Sequence, residues 1–264
     1  MESLVANWRA AFAALLLILI PGSALTSIFW FLHRRPDTSR AGGSLLLGSS
    51  IRAWHFENLR PFEDAFVRWG VRPAWLSWSQ LFVGILVGLT YSEGLVFDSG
   101  FLLIFAGTLD ILDGRVARRT QSGSGRGAFL DSIIDRYADA LAYLGIAVYF
   151  RESWVLWASL WALVGGVMTS YARARAEGLG ASCQVGLLQR PERYVLLGLG
   201  SIFSALIEQI AGHPSGWQPN VLLVVVVVLL AVFSNVTAVQ RVLHVSRQLD
   251  GPPTARRPPE RADD

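Results

Sequence analysis

Asp110-Ile111-Leu112-Asp113-Gly114-Arg115-Val116-Ala117-Arg118 and, after eight residues, Gly127-Ala128-Phe129-Leu130-Asp131-Ser132-Ile133-Ile134-Asp135 set four carboxylates inside two otherwise apolar stretches. Asp110 and Asp113 stand three apart and Asp131 and Asp135 four apart, so each pair shares one face of a helix. Asp113 lies five residues before Arg118, and Asp131 four after Gly127. At about 1.5 Å of rise per residue, both pairs sit roughly 6–8 Å below the intervening loop. A loop this short makes the two helices antiparallel neighbours, with the carboxylates at matching depth. Each aspartate at the centre of a membrane helix costs about 2.5–3.5 kcal/mol, and mutual repulsion adds to that. Hard divalent cations answer both costs, and an all-oxygen donor set suits Mg²⁺ or Mn²⁺. Two such ions held by four aspartates would clamp a phosphate for phosphoryl transfer.

The rest of the chain supports a membrane setting. Of 264 residues, 52% are hydrophobic and 16% charged, too little charge to coat a soluble helical protein. Six apolar spans are expected at about 76–96, 101–119, 127–149, 153–174, 191–212 and 219–244. Arginines mark alternate loops: Arg52, Arg60, Arg68 and Arg72 precede the first span, and Arg118, Arg119 and Arg126 lie around the second turn. Arg173, Arg175, Arg190 and Arg193 surround the fourth, and Arg247, Arg256, Arg257 and Arg261 follow the last span. The turns between hold none, or Arg151 alone. This alternation places those loops and the C-terminus in the cytoplasm, in a multi-pass protein of the inner (plasma) membrane. All 23 basic residues are arginine, and topology accounts for them without nucleic acid as a partner. Cys183 is the sole cysteine, which excludes an intrachain disulfide and a cysteine-rich zinc site. Trp75, Trp78, Trp154 and Trp217 fall at span ends, where interfacial aromatics belong.

Residues 10–33 form another apolar stretch, broken by Pro21-Gly22 and followed by His33-Arg34-Arg35. The positive charge behind it predicts an extra transmembrane helix rather than a cleaved signal. With its connector it makes a segment over 1–50. Between 51 and 70, Phe62, Phe66 and Trp69 recur at helical spacing among charged residues, which predicts a helix lying in the membrane interface. Residues 246–264, rich in proline and mixed charge, read as a disordered cytoplasmic tail. The fold class is therefore all-α integral membrane: a six-helix transmembrane core preceded by an interfacial helix and one extra N-terminal transmembrane helix.

Gly114 and Gly127 remove side chains where a nucleotide or a second backbone must come close, and Arg118 offers a planar donor fork for a diphosphate. Together these residues spell D-x2-D-G-x2-A-R-x8-G-x3-D-x3-D without substitution. On that pattern the chain resembles the CDP-alcohol phosphotransferases, over about residues 51–245. The resemblance implies a two-metal site, with Asp110, Asp113 and Asp131 as ligands for Mg²⁺ or Mn²⁺. Asp135 would join them and act as the base that deprotonates the acceptor hydroxyl. Asp110, Gly114, Arg118 and Gly127 would hold the CDP part of CDP-diacylglycerol, the partner being a small polar alcohol. A homodimer with its site open to cytoplasm and lipid is also implied. One departure stands out: Pro73-Ala74-Trp75-Leu76-Ser77 lacks the asparagine that family members often carry after the proline.

The acceptor is read from a second stretch. Ser170-Tyr171-Ala172-Arg173-Ala174-Arg175-Ala176-Glu177-Gly178-Leu179-Gly180, Val185-Gly186 and Arg190-Pro191-Glu192-Arg193 are similar to the corresponding stretch of phosphatidylinositol-phosphate synthases. The resemblance implies inositol 1-phosphate, its phosphate gripped by Arg173, Arg190 and Arg193. Topology alone also explains arginines in that loop, and glycerol 3-phosphate or another alcohol is the rival acceptor. Outside enzymology, an aspartate-lined transporter or a scaffold that has lost its activity are the alternatives. The first predicts ion flux without CDP-lipid; the second fits poorly with four retained aspartates.

Overall fold

A computed structural model describes residues 49–183, 185–212 and 216–250, with side chains from residue 55 onward. The expected helix at 10–33 and the tail from residue 251 lie outside the described residues. The described elements are α-helices: α1 (Ser49–Arg68), α2 (Pro73–Ser92), α3 (Val96–Arg119), α4 (Gly125–Tyr149), α5 (Val155–Gly178), α6 (Arg190–Ala211) and α7 (Val221–Leu249). The backbone divides into two units between Asp64 and Ala65. The first unit ends within α1, the helix expected from the 51–70 pattern. The second unit holds the six long helices.

Local chemistry sets where these helices begin and end. Pro73, whose fixed φ suits a first helical turn, opens α2. Ser124 caps α4 by accepting a hydrogen bond from the Gly127 amide at 3.0 Å. The chain leaves α2 through Gly94, at φ +73°, where an added Cβ would stand 2.9 Å from the Tyr149 ring. α2 therefore stops at Ser92, short of the expected 96. α7 runs further than expected, so residues 246–249 form its last turn rather than the start of a tail.

α2 packs on α3 and α4, α3 on α6, α6 on α7, α7 on α5 and α5 on α4, which closes a ring of six. This corrects one expectation. α3 and α4, although joined by a short turn, do not pack along their length; α2 lies against both instead. The reason is a small-residue stripe on α2. Gly84 and Gly88 let α4 come so close that a Cβ would lie 3.1 Å from Ala138 Cα and 2.9 Å from the Leu141 carbonyl respectively. Gly100 of α3 and Gly198 of α6 make a similar approach, with a Cβ on Gly100 placed 2.6 Å from the Gly198 carbonyl oxygen.

The distribution of side chains is that of a protein in lipid. Phe82, Phe105, Trp157, Trp161, Phe203 and Val239 are exposed on the outside, while Gln80, Asp113, Asp139, Glu192, Arg193 and Arg241 are buried. Trp75, Trp78, Trp154 and Trp217 are also exposed, as span-end aromatics should be. Among the described residues, α2, α5, α6 and α7 are long and apolar enough to cross a membrane by length and composition. α3 and α4, with 24 and 25 residues, reach about 36 Å, enough for a hydrocarbon core of about 30 Å. Their aspartates are what lower their apolar character. An interior this polar inside so apolar a shell defines a multi-pass membrane protein.

Candidate active site

α3 and α4 converge at their shared turn, and their aspartates meet there. Carboxylate oxygens of Asp110, Asp113 and Asp131 lie within 4.8 Å of one another. Two residues of α2, one turn apart, support the cluster from below. The Ser77 hydroxyl donates to Asp113 Oδ2 at 2.8 Å, and the Gln80 amide donates to Asp135 Oδ1 at 3.1 Å. Ser77 is buried and Gln80 fully so, which fixes the rotamers of the carboxylates they hold. Ala74, where the family's asparagine is missing, is exposed on the same helix. In this chain the polar contribution of α2 therefore goes to the aspartates.

The fourth aspartate is bound differently. Asp135 Oδ2 lies 2.7 Å from Arg190 Nη1, and the same nitrogen is 2.8 Å from Asp110 Oδ1. Arg190 Nε donates to Asp139 Oδ1 at 3.2 Å, and Nη2 donates to the Tyr194 hydroxyl at 3.1 Å. Arg193, on the same helix, donates to Asp139 Oδ2 at 3.2 Å. Asp139 thus bridges two guanidinium groups, and it was absent from the sequence reading. The signal was present: Asp139 continues the four-residue step of Asp131 and Asp135 along α4. A cavity of about 10 Å³ adjoins this group, lined by Asp139, Tyr143, Arg193 and Tyr194 among others. That is about the room one water needs.

The remaining sequence-predicted residues fall in two places. Gly114, Arg118 and Gly127 rim the turn above the aspartates. Arg118 folds back over Gly114, its Nη1 3.4 Å from where a Cβ would be, and Gly127 is exposed. Arg173 is exposed near the end of α5, donating to Glu177 at 2.8 Å. The structure therefore groups Arg190 and Arg193 with the carboxylates and gives Arg173 a local partner on its own helix.

The donor set fits a hard divalent cation. All its atoms are oxygens, three of them converge, and Asp131 Oδ1 is buried without a hydrogen-bond partner. A buried carboxylate oxygen left in that condition is costly unless a cation or a proton meets it. Asp110, Asp113 and Asp131 are the residues that would hold the ion, with Asp135 beside them.

Fold and site together define a polytopic membrane protein with a carboxylate cluster built for divalent cations at the mouth of two diverging helices. Residues 71–246 match the model of the CDP-alcohol phosphatidyltransferase family, and the chain belongs to that family. It is 37% identical over 159 residues to an archaetidylinositol phosphate synthase of Methanothermobacter thermautotrophicus, an alignment covering 60% of this chain and 75% of the relative. The fold is similar to that of a phosphatidylinositol phosphate synthase of Mycobacterium tuberculosis solved with CDP-DAG bound. There the TM-score is 0.60 and the identity 29%, with 70% of this chain and 92% of that one covered. The same mycobacterial enzyme solved with manganese and citrate matches at a TM-score of 0.60 and 28% identity, over 75% of this chain and 92% of that one. Membership of this family sets aside the transporter alternative, and the four retained aspartates answer the scaffold one: the chain is a metal-dependent transferase of phospholipid synthesis.

Proposed function

We propose that this enzyme transfers the phosphatidyl group of CDP-diacylglycerol to inositol 1-phosphate, releasing CMP, at the cytoplasmic face of the plasma membrane. The observation that carries the reading is the meeting of Asp110, Asp113 and Asp131 within 4.8 Å, beside an aspartate paired with the half-buried Arg190. Relatives that make inositol-phosphate lipids support the acceptor.

In this reading Asp110, Asp113, Asp131 and Asp135 hold two divalent cations, Mg²⁺ or Mn²⁺. When bound, these ions would polarise the phosphate of the donor and stabilise the oxygen that leaves with CMP. Gly114 and Gly127 leave room for the nucleotide at the turn, and Arg118 reaches across it toward the diphosphate. Asp135 takes the proton of the acceptor hydroxyl. The acceptor oxygen forms a bond to the lipid-bearing phosphorus as the bond to the CMP oxygen breaks, and CMP carries away the electron pair. Arg190 and Arg193 grip the phosphate of the acceptor, with Arg173 at the edge of that pocket. Asp139 holds Arg190 and Arg193 in place before the acceptor arrives, which lowers the ordering cost of binding. A family-type homodimer, each subunit carrying its own site in a domain over 51–245, completes the assignment.

The test is CMP release by purified protein with CDP-diacylglycerol and Mg²⁺ or Mn²⁺, across inositol 1-phosphate, glycerol 3-phosphate, inositol and serine. Turnover with inositol 1-phosphate alone is expected. Turnover with glycerol 3-phosphate instead would keep the aspartate chemistry and overturn the acceptor assignment.

A further inference from the structure

Gln80 is fully buried on α2, and its reach follows from the helix face it shares. Ser77, Gln80, Gly84 and Gly88 recur at i, i+3, i+7 and i+11, on one side of the helix. Along α4 they meet their neighbours in the same order. The Gln80 amide reaches Asp135, and a Cβ on Gly84 would lie 3.1 Å from Ala138 Cα, one turn further on. The two helices therefore run parallel, and Gly84 draws them together just beyond Gln80. That closeness lets a glutamine side chain on one helix meet a carboxylate on the other.

A primary amide brings two hydrogen-bond donors and an acceptor into the interior. Among the described residues, the side chain of Gln80 makes one hydrogen bond, from Nε2 to Asp135 Oδ1 at 3.1 Å. Its Oε1 is buried without a partner. An unpartnered buried acceptor costs the fold stability, and a methionine at this position would not carry that cost. Helix packing thus gives no reason for glutamine here, whereas the bond to Asp135 does. The other oxygen of Asp135 has a shared partner. Oδ2 lies 2.7 Å from Arg190 Nη1, but Arg190 also pairs with Asp110 and Asp139. In the proposed reaction Arg190 takes the acceptor phosphate as well. Gln80 serves Asp135 alone, and a neutral amide brings no charge against the cations the aspartates would hold.

We propose that Gln80 is a positioning residue for the base: by holding Asp135 Oδ1, it turns Oδ2 toward the acceptor hydroxyl. The proton of that hydroxyl passes to Oδ2. The electron pair left on the hydroxyl oxygen forms the bond to phosphorus as the CMP oxygen departs with its own pair. The inference rests on the reading of Asp135 as the base, and adds to it a residue of α2 that lies outside the aspartate motif. It holds for whichever alcohol is accepted.

The experiment is steady-state CMP release by the purified full chain with Mn²⁺, varying CDP-diacylglycerol and inositol 1-phosphate in turn, with glycerol 3-phosphate as the second acceptor. Wild type, Gln80→Met, Asp135→Asn and the double variant are compared, and thermal midpoints check that each is folded. Gln80→Met should lower kcat about tenfold, the factor expected for a lost hydrogen bond to a charged group, and leave both KM values unchanged. In the Asp135→Asn background the same substitution should cost less than about twofold, because no base remains to be aimed. If Gln80→Met fails to fold, Gln80→Asn keeps the amide but falls short of Asp135, and should show the same fall in kcat. An unchanged kcat in the folded variant, or an equal fall in both backgrounds, overturns the positioning role while leaving a slow Asp135→Asn as evidence for the base. Turnover by Asp135→Asn equal to wild type, or no CMP from wild type with either acceptor, overturns the functional reading and this proposal with it.

Discussion

Replacing Asp139 by asparagine changes almost no volume and removes one charge from the centre of the arginine pair. The structure sets the size of the effect. Arg190 keeps its contacts to Asp110 and Asp135, at 2.8 and 2.7 Å, so little of the cost falls on it. Arg193 is 3% exposed, its Nη1 is already without a hydrogen-bond partner, and its ion pair is with Asp139 at 3.2 Å. Losing that carboxylate leaves a buried guanidinium uncompensated. Removing one partner of a buried pair costs about 3–5 kcal/mol, and asparagine, which still accepts one bond, should fall near the lower end, about 3 kcal/mol. Equilibrium unfolding in detergent micelles, followed by tryptophan fluorescence, measures it. The double variant Asp139→Asn/Arg193→Met removes the stranded charge as well, and should recover enough to give a coupling of about 2 kcal/mol. A loss under about 1 kcal/mol for Asp139→Asn, or strict additivity in the double variant, would refute the view that this pair is buried and mutually compensating.

Other substitutions probe separate parts of the account. Ser77→Ala deletes the 2.8 Å hydrogen bond that orients Asp113, and should weaken Mn²⁺ affinity about 10–100-fold, read by calorimetric titration. Gly88→Val places a branched side chain where even a Cβ would be 2.9 Å from the Leu141 carbonyl; it should force α2 from α4, seen as a lower thermal midpoint and loss of metal binding together. Arg173→Gln breaks only the exposed pair with Glu177, so stability in the same unfolding assay should change by less than about 1 kcal/mol.

The spans and the aspartate motif were legible because both depend on short-range order. Apolar runs set where helices form, and a spacing of three or four puts carboxylates on one face whatever the surroundings. The relation of α3 to α4 was not legible in the same way. A short turn brings their ends together, but Gly84 and Gly88 on a different helix decide that α2 packs against both. Asp139 shows both sides of this limit. Its register with Asp131 and Asp135 can be read along the chain, whereas its partners come from residues 51 and 54 positions away. Gln80 was missed for the same reason: an amide in an apolar helix has no readable role until Asp135, 55 residues on, arrives beside it.

Metal-dependent phosphotransfer at the aspartates is tested most directly by CMP formation from CDP-diacylglycerol and inositol 1-phosphate by wild type and Asp135→Asn, each with Mn²⁺ and with EDTA. Wild type should turn over with Mn²⁺ and not with EDTA, and Asp135→Asn should lose at least about 100-fold. Donor binding by the folded variant should be retained. Comparable turnover in Asp135→Asn, or turnover that persists in EDTA, would contradict the assignment of the aspartates as a metal-dependent phosphotransfer centre.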